Sequence, residues 1–339
     1  MRTARRLAAL LVASAALLAA REAAACAACG NPSLPMQPGG SGLMAEQTGT
    51  VGVSLSALAL QVTHPAGCAD LTDCDAVPVQ PLHDHQVFLA PVELGLSAEW
   101  AFSDRWGVEA RLPVRATWSA VSYQLPDGSD YEPLDAAVHH RDEVVAGVGD
   151  GRLMARVGGA LGGAWVAARV GSTLPFGRTE EDPFAAGDAG RRHQHLQLGS
   201  GVFEPVVSVD ATWGGIARQS TVYATLQQPL YANSKGYEPG RRLLAGAQLG
   251  WKVAPDLLLS ALAEAGQEGG ERWNGVVRSD GMTGMTEARV GGSLLWRSAA
   301  VTLQAAVRVP VYRWLEASAE EPGEVIAPAS VALSATMPL

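Results

Sequence analysis

The sequence predicts an all-β protein, a transmembrane antiparallel β-barrel of about 12 strands. Three observations lead to this prediction. Apolar and polar residues alternate along most of the chain, short and long connections follow one another in strict turn, and tryptophans collect near the short connections. Alternating segments of roughly ten residues joined in this way are typical of outer-membrane barrels, whose short turns are periplasmic and whose long loops are extracellular.

Residues 1–25 are predicted to be a secretory signal peptide and not part of the fold. Three arginines, Arg2, Arg5 and Arg6, precede an apolar stretch over 7–20, and Ala23 to Ala25 provide a small-residue cleavage site. Residues 26–48 are rich in Pro and Gly and show no period, which indicates a periplasmic N-terminal tether or plug. The barrel is expected over residues 49–339, and the predicted location is the cell outer membrane.

The composition excludes a nucleic-acid partner. Charged residues make up 17% of the chain and the formal net charge is −9, so no basic block is available to neutralise phosphates. The predicted partners are outer-membrane lipid, a small-molecule solute and the outer-membrane assembly machinery. No cofactor is predicted.

The alternation is clearest from Trp106 to Trp118, and Phe88 to Trp100 repeats it. A strand points successive side chains to opposite faces, so each run has one apolar face and one charged face. Twelve such runs are predicted, near residues 49–62, 86–102, 106–123, 150–161, 164–176, 197–213, 215–229, 241–253, 256–268, 286–297, 299–312 and 326–339.

The connections place all tight turns at one end of the barrel. Five are tight (103–105, 162–163, 214, 254–255 and 298) and six are long (near 63–85, 124–149, 177–196, 230–240, 269–285 and 313–325). Six tryptophans lie close to the tight turns: Trp100, Trp106, Trp165, Trp213, Trp251 and Trp296. All but Trp165 share the apolar face, as expected of an interfacial aromatic band.

The charged face is predicted to point into the barrel, because an arginine facing mid-bilayer lipid would cost about 2–4 kcal/mol. The alternative, a secreted β-sandwich, would need large side chains on the apolar face, which instead holds mainly Ala, Val, Leu and Gly. The predicted lining consists of Glu93, Glu99, Glu109, Glu204, Asp210, Glu264 and Glu287 together with Arg111, Arg115, Arg152, Arg156, Arg169, Arg289 and Arg308.

The arginines at 111, 115, 152, 156 and 169 come from three consecutive runs and would form one basic wall, flanked by acids. A field across an open lumen would orient small polar or zwitterionic solutes. Alternatively, the charges pair into a network that fills a narrow barrel. The sequence leaves both possibilities open: a channel, or a non-conducting outer-membrane barrel whose histidine-rich extracellular loops bind metal or a partner.

Histidines provide candidate metal ligands. All seven, at 64, 83, 85, 139, 140, 193 and 195, fall in the first three long loops or at their junctions. The pairs His83/His85 and His193/His195 each put two imidazoles on one side of an extended segment, which suits metal binding. If the alternation of the adjoining strands continues to these residues, His83 and His85 lie on the inward face and His193 and His195 on the outward face. Hydrated loop histidines are the alternative.

The four cysteines fit an oxidising compartment. Cys68 and Cys74 close a short loop and are predicted to form a disulfide that stabilises by about 2 kcal/mol. Cys26 and Cys29 admit three interpretations: a plain or disulfide-bonded pair, a soft-metal site, or lipid attachment at Cys26. Ala23 stands where a lipoprotein signal usually has a large aliphatic residue.

No enzymatic activity is predicted. The chain contains no G-x-S-x-G, and no histidine lies in mid-strand beside a serine of matching parity. The glycine-rich stretches lack the lysine and the following helix of a phosphate-binding loop.

Three glycine-containing segments resemble a known family. Gly147-Val148-Gly149-Asp150, Leu174-Pro175-Phe176-Gly177 and Gly199-Ser200-Gly201 are similar to the motifs of the outer-membrane "MetA-pathway of phenol degradation" family of transporter-like barrels. The similarity covers about residues 145–230. Phe176 replaces a small hydroxyl residue, and the usual C-terminal aromatic is absent. The resemblance implies a channel for small molecules, aromatic or hydrophobic ones included.

Overall fold

The computed structural model describes residues 36, 47–67, 80–134, 142–215, 217–277, 283–316 and 324–339. This part of the chain is almost entirely β structure, with one short helix, α1 (Pro183–Asp188). None of its helices is long and apolar enough to cross a membrane. Fifteen strand segments form one antiparallel sheet that closes on itself, which confirms the predicted fold.

Six of the fifteen segments combine in pairs, so the barrel has twelve strands. A separate two-stranded sheet pairs β10 with β13. In chain order the segments are β1 (Gly49–Leu58) continued by β2 (Leu60–Ala66), β3 (His83–Ala101), β4 (Trp106–Gln124), β5 (Glu143–Val148) continued by β6 (Gly151–Leu161), β7 (Ala164–Leu174), β8 (Pro205–Gly214), β9 (Arg218–Gln227), β10 (Tyr237–Glu238), β11 (Arg242–Ala254), β12 (Leu257–Gly269), β13 (Arg272–Trp273), β14 (Gly284–Arg297), β15 (Thr302–Leu315), and β16 (Glu324–Ile326) continued by β17 (Ser330–Pro338).

The first and last strands close the ring. β1 pairs with β3 on one side and with β17 on the other, so that Val53 lies opposite both Leu96 and Ala335. The backbone N–H of Leu339 donates to the carbonyl of Gly49 at 2.9 Å. The tight connections lie at this same end, which is called the turn end below. The long connections lie at the opposite, loop end.

The predicted separation of faces is observed. On β3 the outward side chains Leu94 and Leu96 are 40% and 46% exposed, whereas the inward Glu93 is 7% exposed. The five tryptophans predicted to face outward near the turn end are all exposed, and Trp165 is not. An exposed belt of Val, Leu and Trp requires an apolar medium around it.

The predicted strand over 197–213 is wrong at its beginning, because β8 starts only at Pro205. Residues 189–204 instead form an irregular segment whose part from 195 to 200 is buried. Gly201 has a φ of +70°, which a regular strand does not accommodate. His193 and His195 consequently are buried in the loop and do not extend the outward face, as parity had suggested.

The strand predicted to begin at residue 150 is longer and is interrupted. β5 occupies part of the predicted loop and pairs with β4, with Val145 opposite Thr117. Inward side chains are odd-numbered in β5 and even-numbered in β6, as the burial of Val145 and Met154 shows. The parity changes at Gly149 and Asp150, where the chain leaves the ladder, as in a β-bulge.

Candidate functional site

All fourteen side chains predicted to line the lumen lie on the inner face of the barrel or at its entrance, and most form ion pairs there. The exterior carries the apolar belt, so the chemistry of this protein is concentrated in its interior. The lumen divides into three zones along the barrel axis: an upper cavity, a buried charged layer and a wide mouth at the turn end.

The charged layer is built around Arg169. Its Nε donates to Glu109 at 2.7 Å, and its Nη1 donates to Asp210. Arg156 lies 3.9 Å from Glu109. Arg156 and Arg169 are each only 3% exposed, so the layer is nearly dry. Two arginines and two carboxylates balance one another there.

The opposite side of the lumen carries further ion pairs. Glu264 accepts from Arg308 Nε at 2.9 Å and from the Tyr223 hydroxyl at 2.6 Å. Glu287 accepts from both Arg289 and Arg313. Arg313 was missed by the sequence analysis, because the register between β14 and β15 shifts at Ala288/Arg289 and simple parity no longer applies.

Two cavities lie on either side of the charged layer. The upper cavity, of about 150 Å³, and the turn-end mouth, of about 750 Å³, share no lining residue. On β7 the order toward the turn end is Thr173 in the upper cavity, Arg169 in the layer and Trp165 in the mouth. On β6 the same order is Arg152, Arg156 and Ala160. The layer therefore separates the two cavities.

One wall of the upper cavity carries three arginines and one partner carboxylate. Glu93 accepts from Arg111 at 2.8 Å and from Arg115 at 2.9 Å. Arg152 lies directly opposite Arg111 in the β4–β6 ladder. Within the described part of the chain, Arg152 makes no hydrogen bond and no ion pair within 4.0 Å. The basic wall predicted from the sequence is thus present here, whereas Arg156 and Arg169 are neutralised in the layer.

The three segments that carry the family resemblance meet at Asp150. Its Oδ1 accepts from the backbone N–H of Gly177 at 2.9 Å. Its Oδ2 accepts from the N–H of Ser200 at 2.6 Å and from the Ser200 hydroxyl at 2.7 Å. Gly199 packs against Gly177, where any side chain would collide. Asp150 therefore anchors the loop 175–204 inside the barrel.

The long loops form a small cap that the sequence analysis did not predict. α1 begins after Asp182, whose side chain accepts from two N–H groups of the first turn. The same carboxylate accepts from Asn274 at 2.8 Å. Phe184, Tyr237 and Trp273 form a buried cluster. Burial raises the pKa of the Tyr237 hydroxyl. Tyr237 also lines the upper cavity, so the cap borders that cavity at the loop end.

An apolar cluster coats part of the inner wall at the loop end. Leu60, Val62, Val87 and Leu89 are buried with Ala327, although each lies on the inward face. The inner wall at this cluster is apolar, whereas the sequence analysis predicted that the charged face of each strand points into the barrel. A usable signal exists in the sequence, since Leu58 to Val62 and Val87 to Leu89 are mostly apolar at both parities.

The candidate metal ligands form two separate groups. His83 Nε2 lies 2.9 Å from His85 Nε2, and the rings of His64 and His85 have centroids 4.6 Å apart. The other group joins His193 to His195, with centroids 5.1 Å apart. No set of three or more His, Cys, Asp or Glu side chains in the described part of the chain is arranged to hold a metal ion.

Several predictions fall outside the described residues. They are the signal peptide, the alternatives for Cys26 and Cys29, the disulfide between Cys68 and Cys74, and the histidines at 139 and 140. These stay predictions.

A closed twelve-stranded barrel with an apolar exterior and a charged interior has the architecture of an outer-membrane barrel. No protein-family model and no curated protein matches the chain. Among solved structures, an outer membrane channel from Pseudomonas putida F1 aligns over 90% of this chain and 100% of its own, with a TM-score of 0.55 and 15% identity. This similarity shows the fold.

Two further solved structures are a Pseudomonas aeruginosa FadL homologue and the P. putida toluene transporter TodX. They align with TM-scores of 0.43 and 0.42 and identities of 10% and 8%, over 86% and 87% of this chain and 90% of each other chain. Such TM-scores support no inference about this protein. The resemblance to the phenol-degradation family stays a resemblance.

Proposed function

We propose that the protein is an outer-membrane channel that passes small molecules through the charged interior of its barrel. The observation that carries this proposal is the pair of cavities in series inside a closed barrel with an apolar belt. The family resemblance implies aromatic or hydrophobic compounds among the solutes. The apolar cluster at the loop end is compatible with such compounds.

Passage requires the charged layer to rearrange. A solute that enters from the loop end first reaches the upper cavity and then meets the side chains of Arg156, Arg169 and Asp210. Because these side chains form ion pairs with one another and with Glu109, an exchange of ion-pair partners does not require the barrel ladder to break. The paired network predicted as an alternative to a pore is thus the gate of the proposed pore.

Planar-bilayer recording tests the channel directly. The purified full chain is expected to give discrete conductance steps. Replacement of Arg111 and Arg115 by Gln, combined with Glu93→Gln so that no carboxylate is left unpaired, is expected to shift selectivity toward cations, because two positive charges and one negative charge are removed. The reversal potential in a salt gradient measures this shift.

Arg105→Gln is the matched control, since Arg105 lies in the exposed turn between β3 and β4 and lines neither cavity. It should leave the reversal potential unchanged. A folded barrel that never conducts would refute the channel.

Met36 supports a plug in place of a tether within residues 26–48. Met36 lines the upper cavity together with Arg242. We propose that the chain enters the lumen at Met36.

A second candidate function is metal binding at the loop end. The Nδ1–H of His83 donates to the carbonyl of Pro81 at 2.7 Å, which leaves Nε2 of the neutral ring as an acceptor or ligand. Its 2.9 Å separation from His85 Nε2 is a hydrogen-bond distance, and it also matches two nitrogens about 2.0–2.1 Å from one metal at a right angle. That geometry suits copper or nickel.

Calorimetric titration of the purified protein with Cu²⁺ tests this second function. His85→Ala should abolish the binding heat, and His193→Ala should preserve it, because His193 belongs to the other group. Heat that survives His85→Ala would exclude the site.

A further inference from the structure

We infer that the upper cavity is a binding site for a small zwitterion that carries one carboxylate and one ammonium group. The inference rests on the proposed channel function and narrows the class of solute that the lumen selects.

The positive side of the site is the wall formed by β4 and β6. Arg111, Arg115 and Arg152 all line the cavity there, and Glu93 is the one carboxylate that pairs with them in the described part of the chain. Arg152 has no hydrogen bond or ion pair among the described residues, and it lies directly opposite another arginine. Like charges in directly opposed positions repel, so an incoming carboxylate stabilises this pair. Arginine presents a planar fork of donors that matches a carboxylate.

The negative side of the site lies at the start of β8 and at the end of β12. Glu204, Glu268 and Glu271 line the cavity there. One guanidinium of the described lining, that of Arg242, lies on this side, 3.9 Å from Glu268. Asp150 also lines the cavity, but its two oxygens accept from the loop that it anchors. An ammonium group is therefore favoured on this side, and a second carboxylate is not.

The strand order puts the β12 part of the negative side across the lumen from β4, whereas Glu204, at the start of β8, lies about a quarter of the way round the ring. Around the ring, β4 and β12 are separated by β6, β7, β8, β9 and β11 in one direction, which is about half of the barrel. A molecule with charge of only one sign would satisfy one side and be repelled by the other. A zwitterion is complementary to both.

The cavity size limits the ligand. A cavity of about 150 Å³ is the size that accommodates a single benzene ring in an engineered protein core. A chain of four carbons with a charged group at each end is in the same size range. The side chains of Met36, Pro113 and Pro239 provide apolar contact for such a chain.

Three probes of equal chain length test the inference: γ-aminobutyrate, butyrate and n-butylamine. Their binding to the purified full chain in detergent is measured by isothermal titration calorimetry. γ-Aminobutyrate is expected to bind at least about tenfold more tightly than either singly charged probe, because a hydrogen-bonded charge is worth a factor of this order.

Arg152→Gln is expected to weaken γ-aminobutyrate binding by about tenfold or more and to leave the binding of n-butylamine unchanged. Arg152→Lys should recover part of the loss. Because Arg152 has no ion-pair partner among the residues that the structure describes, the substitution leaves no carboxylate there unpaired, and far-UV circular dichroism should show an intact barrel. Arg105→Gln is the control.

The inference is overturned if butyrate or n-butylamine binds as tightly as γ-aminobutyrate, or if Arg152→Gln leaves γ-aminobutyrate binding unchanged. Because calorimetry does not depend on conductance, the two proposals fail separately. A silent barrel that binds γ-aminobutyrate refutes the channel alone, and a conducting barrel that does not bind it refutes the zwitterion site alone.

Discussion

Arg169 shows how a buried charge is tolerated inside this barrel. Its side chain forms ion pairs with Glu109 on β4 and with Asp210 on β8. Arg169 itself lies on β7, so it links the neighbouring strand β8 to β4, which is two strands away on the other side. Removal of one partner from a buried ion pair is costly because the remaining charge stays buried without compensation.

Arg169→Gln is expected to destabilise the barrel by about 3–5 kcal/mol, since it leaves Asp210 and Glu109 facing each other in the charged layer. Urea unfolding followed by tryptophan fluorescence measures the change. Arg169→Gln combined with Asp210→Asn should recover much of the loss. Equal stability of the single variant and the wild type would show that the layer is hydrated.

Gly199 is the second position where one residue decides local structure. A Cβ at this position would lie 2.6 Å from the Cα of Gly177, a contact that backbone atoms cannot yield to without movement. Gly199→Ala is expected to cost about 1–3 kcal/mol in unfolding free energy. Gly159→Ala is the control, because a Cβ there meets nothing within 4 Å. Similar stability of the two variants would contradict the packing argument.

At the scale of elements, the loop 175–204 behaves as part of the barrel interior. Arg115 donates to the carbonyl of Leu198 at 3.3 Å, and Leu196 and Leu198 pack against Val145. Together with Asp150, these contacts hold the loop against β4 and β5, and residues 199, 200 and 204 of the loop line the upper cavity.

Asp150→Ala is expected to release this loop, because two backbone N–H groups lose a charged acceptor worth about 1.5–3 kcal/mol for each hydrogen bond. Hydrogen exchange should accelerate over residues 177–204 and remain slow in β8. If the protein is a channel, Asp150→Ala is also expected to have a larger single-channel conductance than the wild type.

Asp127→Ala is the matched control for this prediction, since Asp127 accepts only from Ser129 in an exposed turn. Unchanged exchange over the loop in Asp150→Ala would show that apolar packing alone holds it.

At the scale of the whole molecule, the ring closes through β1–β17 and β3–β4, and among the described strands of the barrel only the short segments β5 and β16 have a single partner. The remaining requirement is an environment for the exposed apolar belt, which the proposed outer membrane supplies. The aromatic band near the turn end fits the same environment, because tryptophans favour membrane interfaces.

Leu94→Arg tests this requirement. Leu94 points outward from the middle of β3, and an arginine there is expected to cost about 2–4 kcal/mol in a bilayer. Folding yield and unfolding free energy in phosphatidylcholine vesicles measure the effect, with Leu94→Ala as the control for lost apolar surface. If Leu94→Arg folds as well as Leu94→Ala, the belt does not face lipid.

The sequence by itself determined the local alternation and, through it, the fold class, the number of strands, the two ends of the barrel and the inward direction of residues such as Glu93 and Arg169. A period of two is a local property of extended chain, and it survives folding unchanged. The inward position of the basic wall around Arg111 and that of Glu264 were therefore predictable from the sequence.

Only the tertiary structure decided which charges find partners, and which loop enters the lumen. Asp150 and Ser200 are fifty residues apart, and the hydrogen bonds between them end the strand alternation that the sequence suggested from residue 197. Likewise, Arg156 is neutralised and Arg152 is not, although both point inward from β6. Alternation specifies the face of each residue, whereas its partner depends on ring closure and on contacts between distant segments, which no local pattern contains.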